Sequence, residues 1–223
     1  MKKIGLARTL LGLAVLTLIG VTALAEDNSK STITINGGRQ TVYMKAPSHV
    51  DAKKPCTPAT FYDNICNGNI NIGSGWTISD GSPINTEYTP GNQIISLAGG
   101  TTTKISVAVG FVEGGNGGII DLDADCSGVP CGGTNGGKHL CQGRIKNLYT
   151  FGDTVVPETF KCVATLTKGN PYWVYVRTGG SGRANAWLAW NLSEVATGGF
   201  IEGTNDVWGT PSSGQSVGGL AIY

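Results

Sequence analysis

The 223-residue chain carries 35 glycines and only 14% charged residues, against averages of about 7% glycine and about 25% charge. That composition excludes a coiled coil, and the absence of a Gly-X-Y period or a long charged tract excludes collagen and a charged disordered chain. A formal net charge of +1 supplies no clustered Lys/Arg surface for phosphates, so no nucleic-acid partner is expected.

Residues 1–25 read as a signal peptide. Lys2, Lys3 and Arg8 form a positive start, Leu10 to Leu24 is an apolar run, and Ala23-Leu24-Ala25 is a small-x-small cleavage site. The run is about 15 residues, short of the ~20 that span a bilayer. Cleavage after Ala25 leaves no membrane span and a chain with 13 basic against 15 acidic residues, net −2. The expected location is secreted, extracellular or periplasmic. All six cysteines, Cys56, Cys66, Cys126, Cys131, Cys141 and Cys162, lie in the mature chain, and an even number in an oxidising compartment reads as disulfides. Zinc and haem do not fit, because there is no Cys-x-x-Cys pair and only His49 and His139 are left. Of the 15 pairings six cysteines allow, local sequence favours one. Cys126 and Cys131 bracket the turn Ser127-Gly128-Val129-Pro130, Cys56 and Cys66 flank a short segment, and Cys141 and Cys162 remain.

The mature chain is strand-like nearly throughout. Thr32-Ile33-Thr34-Ile35 alternates, Gly37-Gly38 can turn, and Gln40 to Met44 alternates again, a hairpin signature. Ala46 to Pro58 has three prolines and no period, so 26–58 reads as a hairpin followed by a linker. Further strands are expected at 75–79, 93–97, 103–112, 118–122, 140–147, 159–166, 172–177, 186–192, 199–202 and 218–223. Between them stand Gly-Gly, Asn-Gly, Asp-Gly and Pro-Gly dipeptides, the strongest turn punctuation. No capped 3.6-residue stripe occurs. Residues 59–223 are therefore expected to form one all-β domain, an antiparallel β-sandwich or jelly roll stapled by disulfides.

Two polar features stand out. Asp121-Leu122-Asp123-Ala124-Asp125 puts three carboxylates at alternate positions, like the start of an oxygen-ligand calcium loop. Cys126 stands where an EF-hand needs glycine and Gly132 where it needs glutamate. Asp121, Asp123 and Asp125 are thus weak metal candidates, better read as a solvated sheet-edge face, and no cofactor is expected. In Tyr172 to Arg177, period two puts Tyr172, Val174 and Val176 on one face and Trp173, Tyr175 and Arg177 on the other. An outer Trp173/Tyr175/Arg177 ladder has the chemistry of a sugar-stacking platform, set against the alternative that both faces are buried. Trp190 shares its face with Leu188 and Leu192 and is expected in the core. Catalysis has little support. There is no Gly-x-Ser-x-Gly elbow, His49 lies in the linker, and His139 reads as an exposed loop residue.

The order of motifs from Thr60 to Tyr223 resembles the exported choice-of-anchor domains found ahead of PEP-CTERM-type sorting signals. It rests on Gly75-Trp76-Thr77-Ile78-Ser79, Ile105 to Phe111, Ile120 to Asp125 with Gly128-Val129-Pro130, Leu166 to Val174 and Ala186 to Asn191. The resemblance implies a secreted antiparallel sandwich and no established activity, although the usual C-terminal anchor is missing. Function is thus expected to be a non-catalytic exported module binding a polysaccharide or another cell-surface component. The alternative is a self-associating structural subunit of an extracellular matrix or filament, using residues 32–46 to complete a neighbour's sheet edge. A glycan hydrolase or lyase stands third.

Overall fold

The computed structural model describes residues 57–66, 70–81, 84–132, 139–153, 155–178, 185–204 and 207–223, together with the backbone of 30–35 and 38–43. The described residues contain no helix. The strands in chain order are β1 (Lys30–Ile35), β2 (Gly38–Tyr43), β3 (Tyr62–Asp63), β4 (Ile70–Asp80), β5 (Glu87–Ile95), β6 (Gly100–Thr101), β7 (Lys104–Val107), β8 (Val109–Glu113) and β9 (Gly117–Ala124). They continue with β10 (Cys141–Lys146), β11 (Glu158–Lys161), β12 (Thr165–Leu166), β13 (Pro171–Arg177), β14 (Trp187–Thr204), β15 (Val207–Trp208), β16 (Ser212–Gly218) and β17 (Leu220–Ile222).

An 11-stranded sheet runs β10-β9-β13-β5-β14-β4-β1-β2, with β8, β15 and β16 also pairing β14. A four-stranded sheet runs β11-β7-β17-β3, and β12 pairs β6. All pairings between these strands are antiparallel except β1 with β4, which is parallel. The large sheet turns back on itself: β4 pairs both β5 and β14, and β5 pairs β14. The all-β, antiparallel expectation therefore holds, while the large sheet closes on itself through β4, β5 and β14 rather than lying as one open layer of a sandwich.

The core lies where the large sheet meets the four-stranded one. Ile120 and Leu122 of β9, Val174 and Val176 of β13, and Leu188 and Trp190 of β14 join Ile105 and Val107 of β7 and Leu220 and Ile222 of β17 in one buried cluster. Each such side chain contributes about 1.5–3 kcal/mol relative to exposure. Trp190 is fully buried and donates its indole N–H to the Gly219 carbonyl at 3.0 Å, satisfying its polar handle inside the core as buried tryptophans require.

Several strand expectations change on contact with tertiary structure. The 103–112 run breaks at Ala108, whose N–H goes to Gly219 O, and the chain passes from the four-stranded sheet (β7) to the large one (β8). The Gly198-Gly199 pair does not turn the chain. It lies inside β14, which pairs β4 and β8 at one end and β5 at the other. A Cβ on Gly199 would stand 2.8 Å from the Gln93 Cβ, so the pair serves close strand approach. The expected hairpin forms as β1–β2. It is joined to the large sheet through Thr32↔Ser74, Ile33↔Gly75 and Thr34↔Trp76, so it is not a free-standing attachment.

Two expected disulfides are present, Cys126–Cys131 and Cys141–Cys162. Cys66 is also disulfide-bonded, but the expected partner Cys56 lies outside the described residues, as do residues 1–25 and His49. Cys141–Cys162 ties β10, at one edge of the large sheet, to the end of β11, at the matching edge of the four-stranded sheet.

Candidate functional site

Strands β9 and β13 lie side by side, antiparallel, with Trp173 opposite Asp123 and Tyr175 opposite Asp121. Alternation sends Ile120, Leu122, Val174 and Val176 into the core. It leaves the acidic triplet and the Trp/Tyr/Arg set on the other face, so the two polar features of the sequence are neighbours. Each donor reaches diagonally, past the residue opposite it, to the aspartate two positions on. The Trp173 indole N–H donates to Asp125 Oδ1 at 2.6 Å, the Tyr175 hydroxyl to Asp123 Oδ2 at 3.1 Å, and Arg177 Nε to Asp121 Oδ2 at 2.7 Å. Such diagonals are within reach of long and aromatic side chains across a sheet.

Neighbouring elements fill the remaining acceptor sites. Gln142 of β10 donates to Asp121 Oδ1 at 2.7 Å, and Gln93 of β5 to Asp125 Oδ1 at 2.9 Å. The backbone N–H of Gly132 reaches Asp123 Oδ2 at 2.9 Å, and that of Gly128 reaches Asp125 Oδ2 at 3.0 Å. His139 Nδ1 lies 2.9 Å from Asp123 Oδ1 and 3.1 Å from the Tyr175 hydroxyl, and its Nε2 is 3.8 Å from Asp121 Oδ1.

The face is covered. Asp121, Asp123 and Tyr175 are 0% exposed and Trp173 is 1% exposed. The roof is the 125–132 segment, closed by Cys126–Cys131, by the Asp125↔Pro130 bridge and by backbone bonds Cys126 N→Val129 O and Cys131 N→Ala124 O. Trp208 of β15 holds it down, donating to Gly132 O at 3.0 Å and packing edge-on against the Tyr175 ring at 4.9 Å. Gly132 has no room for a side chain: a Cβ there would lie 2.4 Å from Asp123 Oδ2 and 3.0 Å from the His139 ring. Burial, then the charges of Asp121 and Asp123, push the Tyr175 phenol far above its ordinary value, so it stays a neutral donor.

Three expectations are corrected by this geometry. Trp173, Tyr175 and Arg177 are not an open stacking platform: the 125–132 segment and Trp208 cover the two rings, and the Arg177 side chain keeps only 12% exposure. The aspartates are not a solvated edge face either, since β9 is paired on both sides, by β10 and β13. Their mutual repulsion is relieved by Arg177 and a full set of neutral donors. As cation ligands they are poorly placed, because protein donors already occupy both oxygens of each. Among the described residues no group of three or more His, Cys, Asp or Glu side chains is arranged to hold a metal ion. His139, read as an exposed loop residue, is instead 12% exposed in the middle of the network.

Gln93, Gln142, His139 and Trp208 were not legible as partners, because each comes from a different strand or loop. Chemically, Asp123 and His139 resemble the orienting half of a nucleophilic triad. The hydroxyl at the histidine, however, is the Tyr175 phenol, engaged on Asp123, and no serine, threonine or thiol contacts the ring within hydrogen-bond distance among the described residues. What the arrangement does is neutralise and rigidify a buried polar layer. No known family model and no curated protein sequence matches the chain.

Proposed function

We propose that this chain is an exported, non-catalytic structural subunit of an extracellular matrix or filament, in which the β1–β2 hairpin adds to a sheet edge. The observation that carries the reading is the parallel pairing of β1 with β4. The donor strand and its acceptor are separated in sequence by the proline-rich 46–58 stretch. A strand on such a tether makes the same hydrogen bonds with its own β4 or with that of a second copy, the basis of strand addition and swapping. Two disulfides suit an oxidising compartment, and cleavage after Ala25 would deliver the chain there. The domain is read as a jelly-roll-like sandwich of the choice-of-anchor type. Polysaccharide binding, the other expectation, loses its carrier once Trp173 and Tyr175 are buried.

The test is the assembly state of the purified mature chain by light scattering and electron microscopy, with and without Ile33→Pro. Proline removes a ladder N–H from β1 at the position paired with Gly75. Ladders or fibres from the parent chain and discrete monomers from the variant are expected. A parent that stays monomeric at high concentration, or a variant that assembles equally well, overturns the reading.

A further inference from the structure

The Cys126–Cys131 and Cys141–Cys162 disulfides differ in setting. Cys162 is 1% exposed and, with Cys141, joins two sheets across 21 residues. Cys126 and Cys131 are both exposed and close a segment of sequence separation 5. That short segment carries two backbone donors of the aspartate layer, Gly128 N–H on the half-buried Asp125 and Gly132 N–H on the buried Asp123, and the carbonyl that anchors Trp208. It also holds Ser127 at φ 59°, a left-handed conformation that few residues other than glycine and asparagine adopt.

We propose that Cys126–Cys131 is a redox-operated latch on the roof of the aspartate layer. A dithiol reductant reaches it before it reaches Cys141–Cys162, because access controls thiol–disulfide exchange. One reductant thiolate attacks an exposed sulfur and breaks the S–S bond, giving a mixed disulfide. The second reductant thiol then displaces the protein thiolate. Cys126 and Cys131 finish as two thiols, having taken up two electrons and two protons, and the reductant finishes as its disulfide. With the bond gone, Ser127 relaxes, the Gly128 and Gly132 donors leave Asp125 and Asp123, and His139 opens to solvent. The device is independent of strand addition at β4.

The experiment treats the oxidised mature protein with graded dithiothreitol, traps thiols with iodoacetamide and maps them by peptide mass. Alkylation of Cys126 and Cys131 is expected at about tenfold lower reductant than that of Cys141 and Cys162. In parallel, diethylpyrocarbonate modification of His139, read on its own peptide, should rise several-fold once the latch alone is open. A Cys126→Ser/Cys131→Ser variant should show the fast modification without reductant. If that variant does not fold, the partially reduced native chain gives the same reading. Reduction of Cys141–Cys162 first or together with the latch, or an unchanged rate at His139 after the latch opens, overturns the proposal.

Discussion

Replacing Arg177 by Met tests whether the aspartate layer is a buried ionic structure. Asp121 is 0% exposed, and Arg177 Nε, 2.7 Å away, is its closest cationic partner. The substitution keeps most of the apolar stem and removes the guanidinium. Asp121 is then left with Gln142 at 2.7 Å and His139 at 3.8 Å. Breaking a buried pair by removing one partner costs about 3–5 kcal/mol, because the surviving charge keeps its desolvation penalty. For a domain of this size that is a fall in melting temperature of roughly 6–20 °C. The assay is urea unfolding at pH 7 with disulfides intact, for Arg177→Met, Asp121→Asn and the double variant. Since the two side chains touch, the double variant should cost less than the sum of the singles by roughly 2 kcal/mol or more. A single-variant cost under about 1 kcal/mol, the range of exposed ion pairs, or simple additivity, would refute the buried ladder.

Trp173→Ala should destabilise as severely as Trp190→Ala, about 3–5 kcal/mol each, since their exposures are 1% and 0%. Comparable urea midpoints for the two variants are the expected result, and a near-native Trp173→Ala would reopen the binding platform. Removing Cys141–Cys162 by paired alanine substitution should cost about 3 kcal/mol, and removing Cys126–Cys131 about 2, because the longer loop withdraws more entropy from the unfolded chain; equal midpoints would contradict this. Burial lifts the Glu202 carboxyl from 4.5 to about 7. The folded state therefore holds this proton more tightly than the unfolded chain, and the stabilisation is fully present below about pH 4.5 and lost as pH rises towards 7. Glu202→Gln should match the parent at pH 4 and exceed it at pH 8 by roughly 1 kcal/mol, a figure discounted for the partial exposure of the side chain; unfolding midpoints that shift equally at both pH values would remove Glu202 as the cause.

Much of the fold was legible because period two survives wherever one face of a strand meets the core. The hairpin at β1–β2, the strands β9, β10 and β13, and the inward set Val174, Val176, Leu188 and Trp190 follow from alternation and turn residues alone. What alternation missed depends on partners. Ser212–Gly218 has no apolar period, yet it is strand β16, because the long β14 offers it a ladder. The break expected between 192 and 199 is absent for the opposite reason, since β14 runs through Gly198-Gly199. The same lack of a side chain that permits a turn also permits β14 to press against Gln93.

The site was half legible, and the missing half is informative. Alternation states which residues share a face; it does not state what lies above that face. Here the cover comes from Gly132, His139 and Trp208, which no local pattern joins to β9 or β13. The adjacency of β9 and β13, however, had a signal in the side chains themselves. Asp-x-Asp-x-Asp at 121–125 offers only acceptors, and Trp-x-Tyr-x-Arg at 173–177 offers a donor at every step. Read antiparallel, Asp125 meets Trp173, Asp123 meets Tyr175 and Asp121 meets Arg177. An acidic alternating strand needs either a cation, bulk water or a neighbouring strand of donors in matching period. The third option explains why both strands can be buried on both faces, and why an acidic triplet in an all-β chain need not mark a metal site.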